Sequence, residues 1–371
     1  MAARATRSAS GGSRSTDAMF AEPQQYRNEE RMMTKILDQL KNGRLPAELL
    51  PLLRNFHTAV VESPCSRCHL LALSHDELGV IFDGLADPLQ PVVAVAFSST
   101  CKGLRTPLRA ALEVLEERHV RSEALCYVLR VRWDEERHVP VAWSCAHLRE
   151  AESLTMANYG LAADHMATLG MLLSCGSLPR LLRLYLGENG FGDEGVQALL
   201  EGMGRDAAPL LHTLYLTDNQ LGPRGAEALA AALGRGAMRK LRTLSFGSNP
   251  IGNQGVATLA VPLRKTAVKT LYLPGCEIGD EGIASLFADL NKEDFKMLDS
   301  VYLAVNPLTD TGCAMIVSAI DSGRMPLLET ASLIFNDHVS VAARAAIAVA
   351  IVRRKERKVR SGHVAIDSDS D

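Results

Sequence analysis

The sequence predicts an α/β protein: an array of strand–helix repeats preceded by a small all-α module. Three observations carry this expectation. Landmark polar positions recur at nearly constant intervals between residues 159 and 336. Each interval holds an alternating apolar stretch, a glycine pair and an Ala/Leu-rich run. Upstream of the array, the stretch LSHDELGVIFDGL sets Leu73, Leu78, Ile81, Phe82 and Leu85 in a helical rhythm.

Four segments align directly: LLRLYLGENGFGDEGVQALL, LHTLYLTDNQLGPRGAEALA, LRTLSFGSNPIGNQGVATLA and VKTLYLPGCEIGDEGIASLF. Two more follow in LDSVYLAVNPLTDTGCAMIV and LETASLIFNDHVSVAARAAI, and a degenerate first copy is AESLTMANYGLAADHMATLG. The landmarks are Tyr159, Asn189, Asn219, Asn249, Cys276, Asn306 and Asn336, separated by 30, 30, 30, 27, 30 and 30 residues. Leu184-Tyr185-Leu186 typifies the strand, with its leucines pointing inward. The landmark Asn or Cys is placed to bond buried backbone where the chain turns out of the strand. In the glycine pairs Gly192/Gly195, Gly222/Gly225, Gly252/Gly255 and Gly279/Gly282, the first permits a turn and the second lets a helix pack closely at its start. A helix such as 196–203 completes the unit.

Over residues 151–352 this pattern resembles the leucine-rich repeat family, in its long ribonuclease-inhibitor-like subtype with a full helix per repeat. The resemblance implies a horseshoe with a parallel sheet on the concave face and helices outside. Cys276 in place of Asn lies within the family pattern. Tyr159 and the HVSVAAR turn depart from it, as capping repeats at the two ends do.

On such a horseshoe the residue between the two strand leucines points into the concavity. That position reads Thr155, Tyr185, Tyr215, Ser245, Tyr272, Tyr302 and Ser332, so four of the seven tyrosines stand in one column. At ~4.8 Å per strand the column runs roughly 20 Å from Tyr185 to Tyr302. Flanking positions are small (Thr213, Thr243, Thr270, Ser300, Gly187, Gly247, Gly275), and the charges are chiefly Arg183, Glu188 and Asp218. A Tyr-lined, sparsely charged trough suits a protein or peptide partner. The other reading is that tyrosine favours strands and stacks on its neighbour across the sheet. No catalytic triad, metal-ligand set or phosphate loop accompanies the column, so neither an enzyme nor a cofactor is expected.

Residues 73–105 resemble an F-box, the helical module that docks on the Skp adaptor of cullin–RING ubiquitin ligases. Leu73, Asp76, Leu78, Ile81, Phe82 and Leu85 match its apolar and acidic pattern, and FSSTCKGLR matches its closing helix. Ser74 stands where the family usually has Pro, and Gly79 weakens the helix by up to ~1 kcal/mol against Ala. The resemblance implies adaptor docking through Leu73, Leu78, Ile81, Phe82 and Leu85. The alternative is a helical cap that seals the first repeat.

The 371 residues, 47% hydrophobic with a net charge of -3, fit an ordinary soluble chain with no feature calling for nucleic acid. No apolar run reaches membrane-spanning length. Eight scattered cysteines without a secretory signal read as reduced intracellular thiols, and the expected location is cytoplasmic or nuclear. Residues 1–25 read as a disordered tail or a targeting segment, 26–70 as helical, 71–108 as the F-box-like module and 109–150 as linker helices. Residues 151–352 are the repeats and 353–371 a basic then acidic tail. Within the linker, residues 112–136 read as a charged helix followed by a strand or second helix, with Trp133 and Trp143 anchoring its core. CSRCH at 65–69 spells a haem-attachment or zinc half-site, but lacks an export signal or a completing ligand pair, so a chance pair is the better reading. RRKERKVR at 353–360 is an import-like basic run or the end of the last helix.

Together these readings predict a non-catalytic substrate receptor of a ubiquitin ligase, with the array holding a protein substrate. The alternative is a repeat scaffold or regulator of ribonuclease-inhibitor-like, immune-sensor or GTPase-activating type. The last would need charges such as Arg183 and Asp218 to converge on one edge.

Overall fold

The computed structural model describes residues 75–99, 104, 106–129, 132–134, 139–141, 143–205 and 207–360. Leu73, the CSRCH run, the Arg-rich start and residues 361–371 lie outside the described residues. The chain divides into two compact units, Met1–His119 and Val120–Asp371.

In the first unit the described residues form helices joined by short turns. Helix α1 (His75–Leu85) carries Leu78, Ile81, Phe82 and Leu85 at the i, i+3, i+4, i+7 spacing of a single face. Helix α2 (Val92–Ser99) buries Ala94 and Phe97, and Leu104 and Leu108 lead into α3 (Arg109–Leu129). The Asp87 carboxylate accepts the Leu89 amide at 2.9 Å, and the His119 ring donates to the Pro88 carbonyl at 2.7 Å. The α1 stripe does not stand open as an adaptor-docking face: Leu78, Ile81, Phe82 and Leu85 are each 5% exposed or less.

In the second unit, α3 ends at Leu129 and an antiparallel hairpin follows, β1 (Arg132–Asp134) with β2 (Val139–Val141). Of the strand or second helix that the sequence allows there, the chain forms the strand. Helix α4 (Cys145–Glu150) is capped by the Ser144 hydroxyl, which accepts the His147 amide at 3.3 Å. The repeats then run β3 (Ser153–Thr155), α5 (Ala163–Ser174), β4 (Arg183–Tyr185), α6 (Gly192–Leu200), β5 (Thr213–Tyr215) and α7 (Pro223–Gly234). They continue with β6 (Thr243–Ser245), α8 (Gly252–Arg264), β7 (Thr270–Tyr272) and α9 (Asp280–Phe287). The last are β8 (Ser300–Tyr302), α10 (Asp310–Asp321), β9 (Thr330–Ser332) and α11 (Val341–Arg360).

Strands β3 to β9 pair in parallel in chain order to form a seven-stranded sheet. Each middle residue faces its counterpart, so Leu154, Leu184, Leu214, Leu244, Leu271 and Val301 make one buried column. Neighbouring helices pack on one another outside the sheet. Strands sit ~4.8 Å apart and packed helices ~8–10 Å, so the strand side is the shorter, concave arc of the horseshoe.

The landmark side chains tie each repeat to the one before it. Asn249, fully buried, donates to the Leu216, Phe246 and Gly247 carbonyls and accepts the Asn219 and Leu221 amides at 2.9 Å. Asn189, Asn219, Asn306 and Asn336 repeat the arrangement. At Cys276 the thiol donates to the Phe246 carbonyl at 3.3 Å and spans the same gap with one atom.

The second glycine of each pair makes room for a neighbouring side chain as well as for the helix. Asp193 accepts the Gly222 and Gly225 amides of the next repeat at 2.7 and 2.9 Å. Asn253 does the same for Gly279 and Gly282, and Asp280 for Thr309 and Gly312. A methyl group on Gly225 would meet the Asp193 carboxylate at 2.7 Å. The first glycine adopts a left-handed backbone at Gly192 and Gly252 only.

The 27-residue interval loses its three residues in the return from α8 to β7, so Ser245 still faces Tyr272. Lys265 in that return pairs with buried Asp294 at 2.7 Å. At the far end, Arg353 and Arg357 pair with Asp321, and Arg354 donates to the Pro326 carbonyl. This is the helix-extension reading of the basic run.

Replacing Asn249 with Ala leaves three carbonyls and two amides of the ladder short of a partner. Asn249→Ala is expected to cost about 3 kcal/mol, read as a lowered urea midpoint. Asn249→Cys should lose less, because a thiol spans the same gap one repeat later.

Candidate protein-interaction face

Alternation along each three-residue strand sends the middle residue into the core and the outer two to the open face. The register then stacks Tyr185 beside Tyr215 and Tyr272 beside Tyr302. Their rings lie 5.1 Å apart at 36° in the first pair and 4.5 Å apart at 8° in the second. Tyr215 and Tyr272 have Ser245 of β6 between them, which puts their backbones roughly 10 Å apart. Their ring centroids are nevertheless 6.0 Å apart. The two rings lean together over the small side chain, and Ser245 is buried beneath them with its hydroxyl 3.0 Å from that of Thr217. The four rings form an unbroken ladder.

Each such pair contributes about 0.5–1.5 kcal/mol beyond the area it covers. The stacking reading of the column therefore holds. It does not exhaust the column, because all four tyrosines remain half-exposed. Burial raises the Tyr215 phenol above its ordinary value, and the phenols of Tyr272 and Tyr185 add to the shift. Tyr272 is raised as well, first by burial and then by Tyr302.

The charged residues singled out with the column do not converge. Arg183 opens β4, whereas Glu188 and Asp218 follow the strands at the opposite edge, roughly 16 Å away along an extended chain. All three are exposed. The strand-entry edge holds a cluster that the sequence reading missed: His212, Lys240 and Arg242 beside Arg183. Burial lowers the His212 pKa, and Arg242, Lys240 and Arg183 lower it further. The signal was present one residue ahead of each strand, where Leu182, His212, Arg242 and Lys269 give way to Asp299 and Glu329. Among the described residues, no group of three or more His, Cys, Asp or Glu side chains is arranged to hold a metal ion. None of the described helices is long and apolar enough to cross a membrane.

Four segments, residues 179–200, 207–230, 237–260 and 265–287, match the leucine-rich repeat family model. These are leucine-rich repeats. The first and the last two strands of the sheet fall outside the matched segments, yet the leucine-rich repeat ladder runs through them in the same register. No curated protein matches the chain. A solved structure of the Rad7 and Elc1 complex in yeast is 13% identical over 68% of this chain and 78% of that chain, with a TM-score of 0.33.

The tyrosine ladder has a measurable signature. Tyr215 and Tyr272 hold their protons more tightly folded than unfolded. Their contribution is whole below the ordinary phenol value of about 10 and is lost as pH rises through the folded values. The urea midpoint is expected to fall above about pH 10, and more shallowly in a Tyr215→Phe, Tyr272→Phe double variant. Equal slopes would mean that the ladder is not the source.

Proposed function

We propose that the repeat array is a non-catalytic protein-binding scaffold whose contact surface is the Tyr185–Tyr302 ladder. The observation that carries this reading is the unbroken run of four half-exposed rings on the open face. Tyrosine offers a large rigid contact with a polar tip, and such residues dominate binding where they can be fully covered. Proximity labelling in the native cell, followed by affinity measurement with the purified partner, tests the reading. Tyr215→Ala, Tyr272→Ala is expected to weaken that partner by about 30-fold, the equivalent of ~2 kcal/mol. A partner bound equally by the parent and a folded double variant would sink it.

A narrower reading makes the chain a substrate receptor of a cullin–RING ubiquitin ligase. It rests on the F-box-like pattern of residues 73–105. Since Leu78, Ile81, Phe82 and Leu85 are buried, docking on a Skp-type adaptor would use what the two helices leave open. Val80 of α1 and Val92 and Val95 of α2 are exposed apolar residues in this unit. Co-precipitation of the Skp adaptor by the parent chain, lost in Val92→Asp, Val95→Asp, is the result this reading expects. A parent chain that captures no adaptor would leave the first unit as a helical cap and the array as a scaffold or regulator.

A further inference from the structure

One edge of the open face changes chemistry along the array. The residues just ahead of the last six landmark positions, Glu188, Asp218, Ser248, Gly275, Val305 and Phe335, all hold a left-handed backbone, with φ between 55° and 62°. That conformation disfavours every side chain, and a β-branched or bulky one most of all. Glycine is the residue that suits it, and only one of the six is glycine. Yet Val305 is 57% exposed and Phe335 73%, with Ile334 beside them at 55%. The Val305 amide donates to the Ile334 carbonyl at 3.1 Å, so the three exposed apolar residues stand at the adjoining ends of β8 and β9. So exposed, these side chains add little to the protein's own core.

At the other end of the same edge, Glu188 and Asp218 are exposed and form no ion pair with a described residue. Between the acids and the apolar patch stand only Ser248 and Gly275, which leave the interval low. The interval has a defined length. Glu188 to Val305 and Asp218 to Phe335 each span four strand steps, roughly 19 Å at ~4.8 Å per strand. An extended chain covers that distance in about six residues at ~3.3 Å each.

We propose that this edge binds an extended segment of a partner protein in which a Lys or Arg stands about six residues from a large apolar side chain. The cation faces Glu188 and Asp218, and the apolar side chain sits against Val305, Ile334 and Phe335. The segment lies across the strands alongside the tyrosine ladder. This assignment rests on the reading of the open face as a protein-binding surface and adds the partner's chemistry and spacing.

Panning a displayed library of random sixteen-residue peptides on the full chain tests it. Enriched peptides are expected to pair Lys or Arg with Phe, Leu, Ile or Met at a separation of about six. Their affinity should fall at least tenfold in Val305→Ser, Phe335→Ser and in Glu188→Lys, Asp218→Lys. Both variants alter exposed side chains, and their far-UV spectra should match the parent's. Changing the peptide's basic residue to Glu should restore binding to the charge-reversed variant, which a merely structural effect would not do. Peptides without that spacing, or peptides indifferent to both variants, would overturn the assignment. If such peptides still lost binding in Tyr215→Ala, Tyr272→Ala, the ladder reading would stand alone. A library that yields no enriched peptide also overturns the extended-segment partner, and the ladder then depends on the labelling experiment.

Discussion

The array is held together by the need to satisfy buried backbone groups where the chain leaves each strand. A three-residue strand has too few ladder bonds to fix its own exit, and the amides and carbonyls beyond it are out of reach of water. In five of the seven repeats one primary amide, that of Asn189, Asn219, Asn249, Asn306 or Asn336, answers both needs, because it carries two donors and an acceptor with two lone pairs. Asn219, for example, donates from its side chain to carbonyls of its own repeat and the one before it, and its backbone amide donates to the Asn249 side chain. The exits are thereby locked at a common height. The register of the sheet, the burial of the leucine column and the stacking of the tyrosines all follow from that alignment.

A second device works on the outer arc. Asp193, Asn253 and Asp280 each fasten the start of the following helix, and a helix N-terminus favours an oxygen ligand there. Inner and outer arcs are thus pinned by different chemistry where these residues stand; Pro223, at the equivalent position of the third repeat, has no such oxygen. The tyrosines sit on the inner arc, the two middle ones flanked by a ring on either side, and all four stay part-exposed. They stiffen the face and still leave it available, which is the combination a recognition surface needs.

Most of this architecture was legible in the sequence because a repeat multiplies a weak signal. Leu-x-Leu, a polar residue and two glycines would mean little once; at a spacing of 30 residues they fix the strands, the register and the tyrosine column. The N-terminal helices had no such repetition. The Leu78–Leu85 stripe reads alike whether it faces its own core or a partner, and only packing distinguishes the two. The closed gap over Ser245 was hidden for a related reason. A small residue in a column reads as an interruption, whereas two flanking rings are long enough to meet above it. The basic cluster at His212, Lys240 and Arg242 escaped because it lies one to three positions outside the strands, where attention to alternation does not look. The acid-to-apolar edge was half seen: Glu188 and Asp218 were noted as charges, but Val305 and Phe335 stand out only once their backbone conformation and exposure are known.

Cys276 has a consequence of a different kind. Its thiol is fully buried between two repeats, and burial pushes its pKa up to about 12. In the closed array it is therefore shielded from electrophiles both by access and by charge state. The exposed Cys175 has no such shield from access. Any slow labelling at Cys276 would time the moments when the fourth and fifth repeats part from each other. The one step of the ladder that lacks its asparagine is thus also the step that carries a clock for its own opening.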